Sequence, residues 1–153
     1  KAAEQGIASA QYNLGSMYRQ GDGVPQDDKK AATWYRKAAE QGDAAAQHNL
    51  GMTYDKGEGV PQDYQEAATW YRKAAEQGIA SAQYNLGSMY ANGQGVSQDF
   101  FTAYALINLA AAQGHEFAIS NRSILQEKLT PSQLEEAQSL TRGWKPGMPL
   151  PGQ

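Results

Sequence analysis

Residues Lys1 to Tyr18, KAAEQGIASAQYNLGSMY, return without a single change as Lys73 to Tyr90. The offset is 72 residues, and a looser copy lies halfway between, so the period is 36. Counted on the first glycine, the copies start at Gly6, Gly42, Gly78 and Gly114, and AATWYRKAAEQG occurs at both 31–42 and 67–78. A fixed period of this size marks a stacked array in which each unit buries its apolar face only against its neighbours.

Within the first copy Ala10, Leu14, Met17 and Tyr18 fall at relative positions 0, 4, 7 and 8, one face of a helix from about Ser9 to Gln20 that Gly21 ends. Gly15, Gly51 and Gly87 recur inside this helix, where glycine costs about 1 kcal/mol relative to alanine. A cost repeated in every copy predicts a neighbouring helix that crosses too closely for a side chain. The linkers GDGVPQD, GEGVPQD (57–63) and GQGVSQD (93–99) carry two glycines for positive φ, and a valine to plug the loop into the core. Pro25 and Pro61 forbid continuation of the helix. Asp27, Asp63 and Asp99 then stand as N-caps of a second helix, Asp63 and Glu66 having capping-box spacing. Its buried stripe is Ala31, Trp34, Tyr35 and Ala38, Trp34 and Trp70 are core positions, and Gly42, Gly78 and Gly114 close the units.

The third copy departs from the others: Leu106, Ile107 and Leu109 replace Trp, Tyr and Lys, and Phe100, Phe101 and Tyr104 add apolar surface that needs a cover. The fourth keeps Gly114, Ala118 and Asn121, has Arg122 and Ser123 where Leu and Gly belong, lacks the glycine linker, and reads as a cap. Its second helix starts at Thr130, Pro131 and Gln133, an N-cap, an N1 proline and a capping-box glutamine. It runs to about Arg142 with Leu134, Ala137 and Leu140 inward; Gly143 stops it and Trp144 folds back. The organisation expected is the end of a preceding repeat at 1–5, repeats at 6–41, 42–77 and 78–113, capping helices at 114–144 and an extended, weakly held tail at 145–153.

The formal charge of -3 and the pI near 5.3 supply no basic field for a polyanion, so nucleic acid is not expected as a partner. No cysteine is present, which removes disulfides, thiolate ligands and cysteine nucleophiles. The longest apolar run, Tyr104 to Ala112 and broken by Asn108, is too short to span a bilayer, so membrane insertion is not expected and the chain reads as soluble. It opens at Lys1 inside a motif, without an initiator Met or a leader, and so reads as a fragment that starts within a repeat.

Catalysis has little to work with. The two histidines, His48 and His115, have no neighbour at metal-ligand spacing. The G-x-G segments follow a helix instead of a strand and lack the Lys-Ser/Thr of a phosphate loop. Asp27 with Asp28, and Glu135 with Glu136, sit in first helical turns, where negative charge offsets the dipole. No catalytic residue, metal site or cofactor is assigned.

The pattern A-Q-x-N-L-G-x-x-Y-x-x-G-x-G-V-x-Q-D followed by A-A-T-W-Y-R-K-A-A-E-Q-G resembles the Sel1-like repeat family, relatives of the tetratricopeptide repeats with a longer linker. The ending LTPSQLEEAQSLTRGW is similar to the C-terminal caps of many bacterial members. The resemblance implies an all-α fold, a right-handed alpha-alpha superhelix of helix-turn-helix repeats, in the bacterial cytoplasm or periplasm. It implies a non-enzymatic adaptor holding a partner protein or peptide in a concave groove. The alternatives are an immunity or inhibitor protein neutralising a secreted toxin, and the targeting module of a larger enzyme or assembly. The cysteine-rich branch associated with beta-lactam binding is disfavoured, since its repeats are stapled by disulfides.

In tetratricopeptide-like arrays the first helix of each pair lines the groove. Carried over by position, this gives Ser9, Tyr12, Ser16, Arg19 and Gln20, then Ala45, His48, Met52, Asp55 and Lys56, then Ser81, Tyr84, Ser88, Ala91 and Asn92. Tyr12, His48 and Tyr84 form either a ladder of contact rings or packing that supports the array. Asn13, Asn49, Asn85 and Asn121 recur in every copy, either as amides gripping a peptide backbone or as buried ties between helices. Weak self-association through the tail or the open N-terminal end is a further expectation.

Overall fold

Each of the first three copies folds as a pair of 13-residue helices: α1 (Ala8–Gln20) and α2 (Asp28–Glu40), α3 (Ala44–Lys56) and α4 (Tyr64–Glu76), α5 (Ala80–Asn92) and α6 (Phe100–Ala112). The fourth pair is α7 (Glu116–Gln126) and α8 (Pro131–Gly143). The structure is a computed structural model that describes residues 1–152, and no strand occurs among the described residues.

Local chemistry sets the helix ends. Gly21, Gly57 and Gly93 terminate α1, α3 and α5 in the left-handed region, at φ 72°, 70° and 66°. Asp27, Asp63 and Asp99 each accept backbone N–H groups of the following turn, from Lys30, from Gln65 and Glu66, and from Phe101 and Thr102. Thr130 and Gln133 form a complete capping box at the start of α8.

Contacts divide the chain into two units, Lys1–Trp70 and Tyr71–Gln153, with the boundary inside α4. In the first, α2 packs against α1 and α3 around Tyr35, Ala38, Ala46, Leu50 and Trp70. A side chain recurrent in the repeats ties the chain here without having stood out in the sequence. Gln11 is buried and donates through Nε2 to the Ala3 carbonyl at 3.1 Å, while its Oε1 accepts from Gln41 Nε2 at 2.7 Å. Arg36 donates through Nη2 to the Tyr54 hydroxyl.

Two expectations need correction in this unit. Met17 is 37% exposed and Leu14 only half-buried, so the stripe expected to bury α1 is partly bare; Gln11 and Gly15 are its buried positions. Trp34 is half-buried and not core: the Lys37 ammonium lies 4.4 Å from its ring centroid, a charge that keeps this side of α2 near water. Trp70 is core at 6% exposure.

In the second unit α6 packs against α5, α7 and α8. Nine of its thirteen residues are buried, which accounts for the apolar replacements Leu106, Ile107 and Leu109. Asn108 donates to Thr141 Oγ1 at 2.7 Å and accepts from Arg122 at 3.1 Å, so the arginine at a leucine position has a partner. Leu140, expected inward, is 45% exposed. The helical stripe from Leu134 continues through Ala137, Gln138 and Thr141 at i+3, i+4 and i+7, which places i+6 outside.

The tail is not extended. It turns at Pro146–Gly147, where the Gly147 N–H donates to the Glu76 carbonyl at 2.7 Å, and the Trp144 indole N–H donates to the Pro149 carbonyl at 3.1 Å. Pro146 lies against Gly78, Gly152 against Thr102, and Leu150 is 2% exposed. Apolar burial of Leu150 outweighs the weak local order that its prolines and glycines confer. Gln153, the last residue assigned to the tail, lies outside the described residues.

The glycines inside α1 and α5 do mark a close approach. A Cβ on Gly15 would stand 2.8 Å from Tyr35 Cδ1, and one on Gly87 would stand 2.7 Å from Ile107 Cγ1 and 3.1 Å from the Ala103 carbonyl oxygen. The backbone oxygen cannot step aside. Gly87→Ala is therefore expected to destabilise by about 1 kcal/mol net, overpacking exceeding the gain in helix propensity. Gly143→Ala, with nothing within 4 Å, should be neutral or stabilising. Thermal melts of the two variants test this; a rise in melting temperature for Gly87→Ala would remove close packing as the reason for the glycine.

Candidate interaction surface

In the second unit, side chains of α5 and α7 face each other across a cavity of about 310 Å3. Tyr84, Ser88, Ala91 and Asn92 line it from α5, Ile107 lies on α6, and Asn121, Ile124 and Leu125 line it from α7. The α5 residues are spaced at i, i+4, i+7 and i+8, one helical face about 12 Å long at 1.5 Å per residue.

Tyr84 holds one end of this site. Its ring stacks on the His115 imidazole at 4.8 Å between centroids, lies 6.2 Å from Phe117, and its hydroxyl accepts from Asn121 Nδ2 at 2.8 Å. His115 is itself placed by capping α7: its Nδ1 accepts the Ala118 N–H at 3.2 Å, which requires that nitrogen to be unprotonated. Beyond Tyr84, α7 presents Phe117, Ile119 and Ile124 to solvent at 67%, 49% and 58% exposure. Phe117 and Ile124, seven residues apart, share one exposed face of α7, whereas Ile119 lies on the other side of the helix.

Of the residues assigned to the groove by position, Tyr84, Ser88, Ala91 and Asn92 converge on the cavity, while Ser81 and Asn85 are half-buried and do not line it. In the first unit Ser9, Asn13, Gln20 and Lys56 are exposed, and Ala45, His48, Asn49, Met52 and Asp55 are half-buried. Tyr12 lies 5.9 Å from the Tyr35 ring, Ser16 Oγ is 3.2 Å from the Tyr35 hydroxyl, and Arg19 pairs with Glu58 at 3.5 Å. The asparagines differ among themselves: Asn13 is exposed, whereas Asn121 ties α7 to Tyr84.

Phe117 and Ile124 were missed by sequence reasoning although a signal exists. One further step of 36 along the row Ser9, Ala45, Ser81 reaches Phe117, and one along Ser16, Met52, Ser88 reaches Ile124. Reading the fourth copy only as a cap ended the rows too early.

A model of the Sel1 repeat matches three times, at residues 8–43, 44–79 and 80–115. The chain belongs to the Sel1 repeat family. Its structure is similar to that of a Sel1 repeat protein from Oxalobacter formigenes, with 42% identity and a TM-score of 0.74, over 80% of this chain and 92% of that one. It is also similar to c5321, a protective antigen present in uropathogenic Escherichia coli strains and displaying an SLR fold. There the identity is 36% and the TM-score 0.72, over 92% of this chain and 38% of that one. A comparison with curated proteins gave no match. The fold is thus the all-α solenoid class of helical repeats, in a family whose members generally mediate protein–protein interactions. Among the described residues of this Sel1 repeat chain, no group of His, Cys, Asp and Glu is placed to hold a metal ion, and no helix is long and apolar enough to cross a membrane.

Proposed function

We propose that this Sel1 repeat chain is a non-enzymatic scaffold that binds a partner protein or peptide, and that the α5/α7 face of the second unit is its main contact surface. The observation that carries this reading is the exposure of Phe117 and Ile124 at positions that continue the groove rows, beside the Tyr84–His115 stack. Covering two such side chains contributes about 1.5–3 kcal/mol each, which is the scale of an interface anchor. The first-unit members of the same rows are proposed as further contacts, with Ser9, Asn13, Gln20 and Lys56 the exposed ones.

A photo-crosslinking side chain at Phe117 should capture a discrete partner in cells, and the same group at the exposed Ser139 of α8 should not. The double substitution Phe117→Asp with Ile124→Asp should weaken binding of the captured partner at least tenfold, or about 1.4 kcal/mol, and shift the melting temperature little, since both side chains already face water. Equal capture at both positions, or binding that survives the double substitution, would remove this face from the function.

A further inference from the structure

The repeat contains its own control for the α5/α7 cavity. Residues 1–18 and 73–90 are identical, so α1 and α5 carry the same side chains as far as Tyr18 and Tyr90. The pairs differ at Tyr35, which is Ile107 in the third copy, at Trp34, which is Leu106, and at Arg19 and Gln20, which are the smaller Ala91 and Asn92 lining the cavity. In the first unit the Tyr35 phenol reaches the Ser16 hydroxyl at 3.2 Å and packs 5.9 Å from Tyr12. In the second, Ile107 is shorter and has no hydroxyl. The hydroxyl of Ser88, the counterpart of Ser16, makes no hydrogen bond among the described residues, and the space in front of it is the cavity of about 310 Å3.

We infer that this cavity is an anchor pocket for one bulky uncharged side chain of a partner peptide, of the leucine, methionine or phenylalanine class, with Ser88 and Asn121 hydrogen-bonding the peptide main chain beside it. The inference deepens the proposed binding role and rests on it. No charged side chain lines the cavity, so a charged anchor would lose hydration without gaining a counter-charge. The volume is at the lower end of the roughly 300–1,000 Å3 of ligand pockets, enough for one large side chain. The polar groups present are hydroxyls and amides, which both donate and accept, as a peptide main chain does. One side-chain N–H of Asn121 is spent on Tyr84, and its Oδ1 has no partner among the described residues. Ile124, 58% exposed, forms the rim where residues flanking the anchor would rest.

The test is selection from a displayed library of random 12-residue peptides against the intact chain. Recovered peptides are expected to share a single Leu, Met, Phe or Trp without charged neighbours. Affinity for one of them should fall at least tenfold in Ile107→Tyr, which refills the space as in the first copy, and in Ser88→Phe, which fills it from α5. Ile107→Val should keep affinity within about threefold, and circular dichroism establishes that each variant folds. If Ile107→Tyr does not fold, Ser88→Phe decides alone. Peptides with a charged anchor, or peptides that bind both filled variants unchanged yet fail on Phe117→Asp with Ile124→Asp, overturn the pocket and leave the wider binding surface standing. Recovery of no peptide also overturns the pocket, whereas the wider surface is judged by crosslinking at Phe117.

Discussion

Leu86→Ala is expected to lower the unfolding free energy by about 2–5 kcal/mol, and Leu14→Ala by less than half as much. The two leucines stand at the same place in identical 18-residue stretches, so helix propensity, capping and immediate neighbours along the chain cancel in the comparison. Their environments do not. Leu86 is fully buried at 0% exposure, whereas Leu14 is half-buried. The same contrast holds one turn on, where Met89 is 3% exposed and Met17 37%. Truncating a buried leucine removes its transfer energy and leaves a cavity; truncating a half-buried one removes less and lets water in. Urea denaturation gives the totals, and amide hydrogen exchange shows which helices lose protection, which matters because units of a repeat array can open separately. Equal losses at the two sites would mean that the burial difference has no energetic weight.

Gln83→Leu and Gln11→Leu are expected to cost about 1–3 kcal/mol each, and to cost the same. Here the two copies agree in structure as well as in sequence. Gln83 donates to the Ala75 carbonyl at 3.2 Å and accepts from Gln113 at 2.9 Å, as Gln11 does with Ala3 and Gln41, and the exposures are 0% and 4%. Leucine keeps much of the volume and removes both bonds. The buried Ala75 or Ala3 carbonyl then keeps the backbone N–H of Gly78 or Gly6 but loses its side-chain donor, while the exposed Gln113 or Gln41 amide turns to water. Gln83→Glu retains the acceptor and loses the donor, so it should be no better than leucine. Chemical denaturation of the two leucine variants checks both size and equality; a stabilised Gln83→Leu would show that these glutamines are dispensable to packing.

The candidate site was legible in part. Tyr84, Ser88 and Asn92 follow from helical spacing on the first helix of the third copy, and they line the cavity. Phe117 and Ile124 also lie on the 36-residue register, but their lack of likeness to Ser and Met at the same positions hid them. The cavity is lined by Ile107 where the first copy has Tyr35, and by Ala91 and Asn92 where it has Arg19 and Gln20, changes visible in the sequence. Their consequence depends on what stands opposite, namely a serine whose hydroxyl has no partner among the described residues.

What the chain determines by itself is local and periodic. The repeat spacing, the glycine and aspartate ends of the helices, the Thr130–Gln133 capping box and the tight contact at Gly15 and Gly87 all depend on residues within one helix pair, whose chemistry acts at short range. Tertiary structure alone decided burial. Leu14 and Leu86 share eighteen residues of context and differ in exposure, Leu140 faces water while Thr141 does not, and Leu150 is buried in a tail rich in proline and glycine. Burial belongs to the surface that covers a side chain, and that surface is contributed by segments distant in sequence, so no reading of a single stretch contains it.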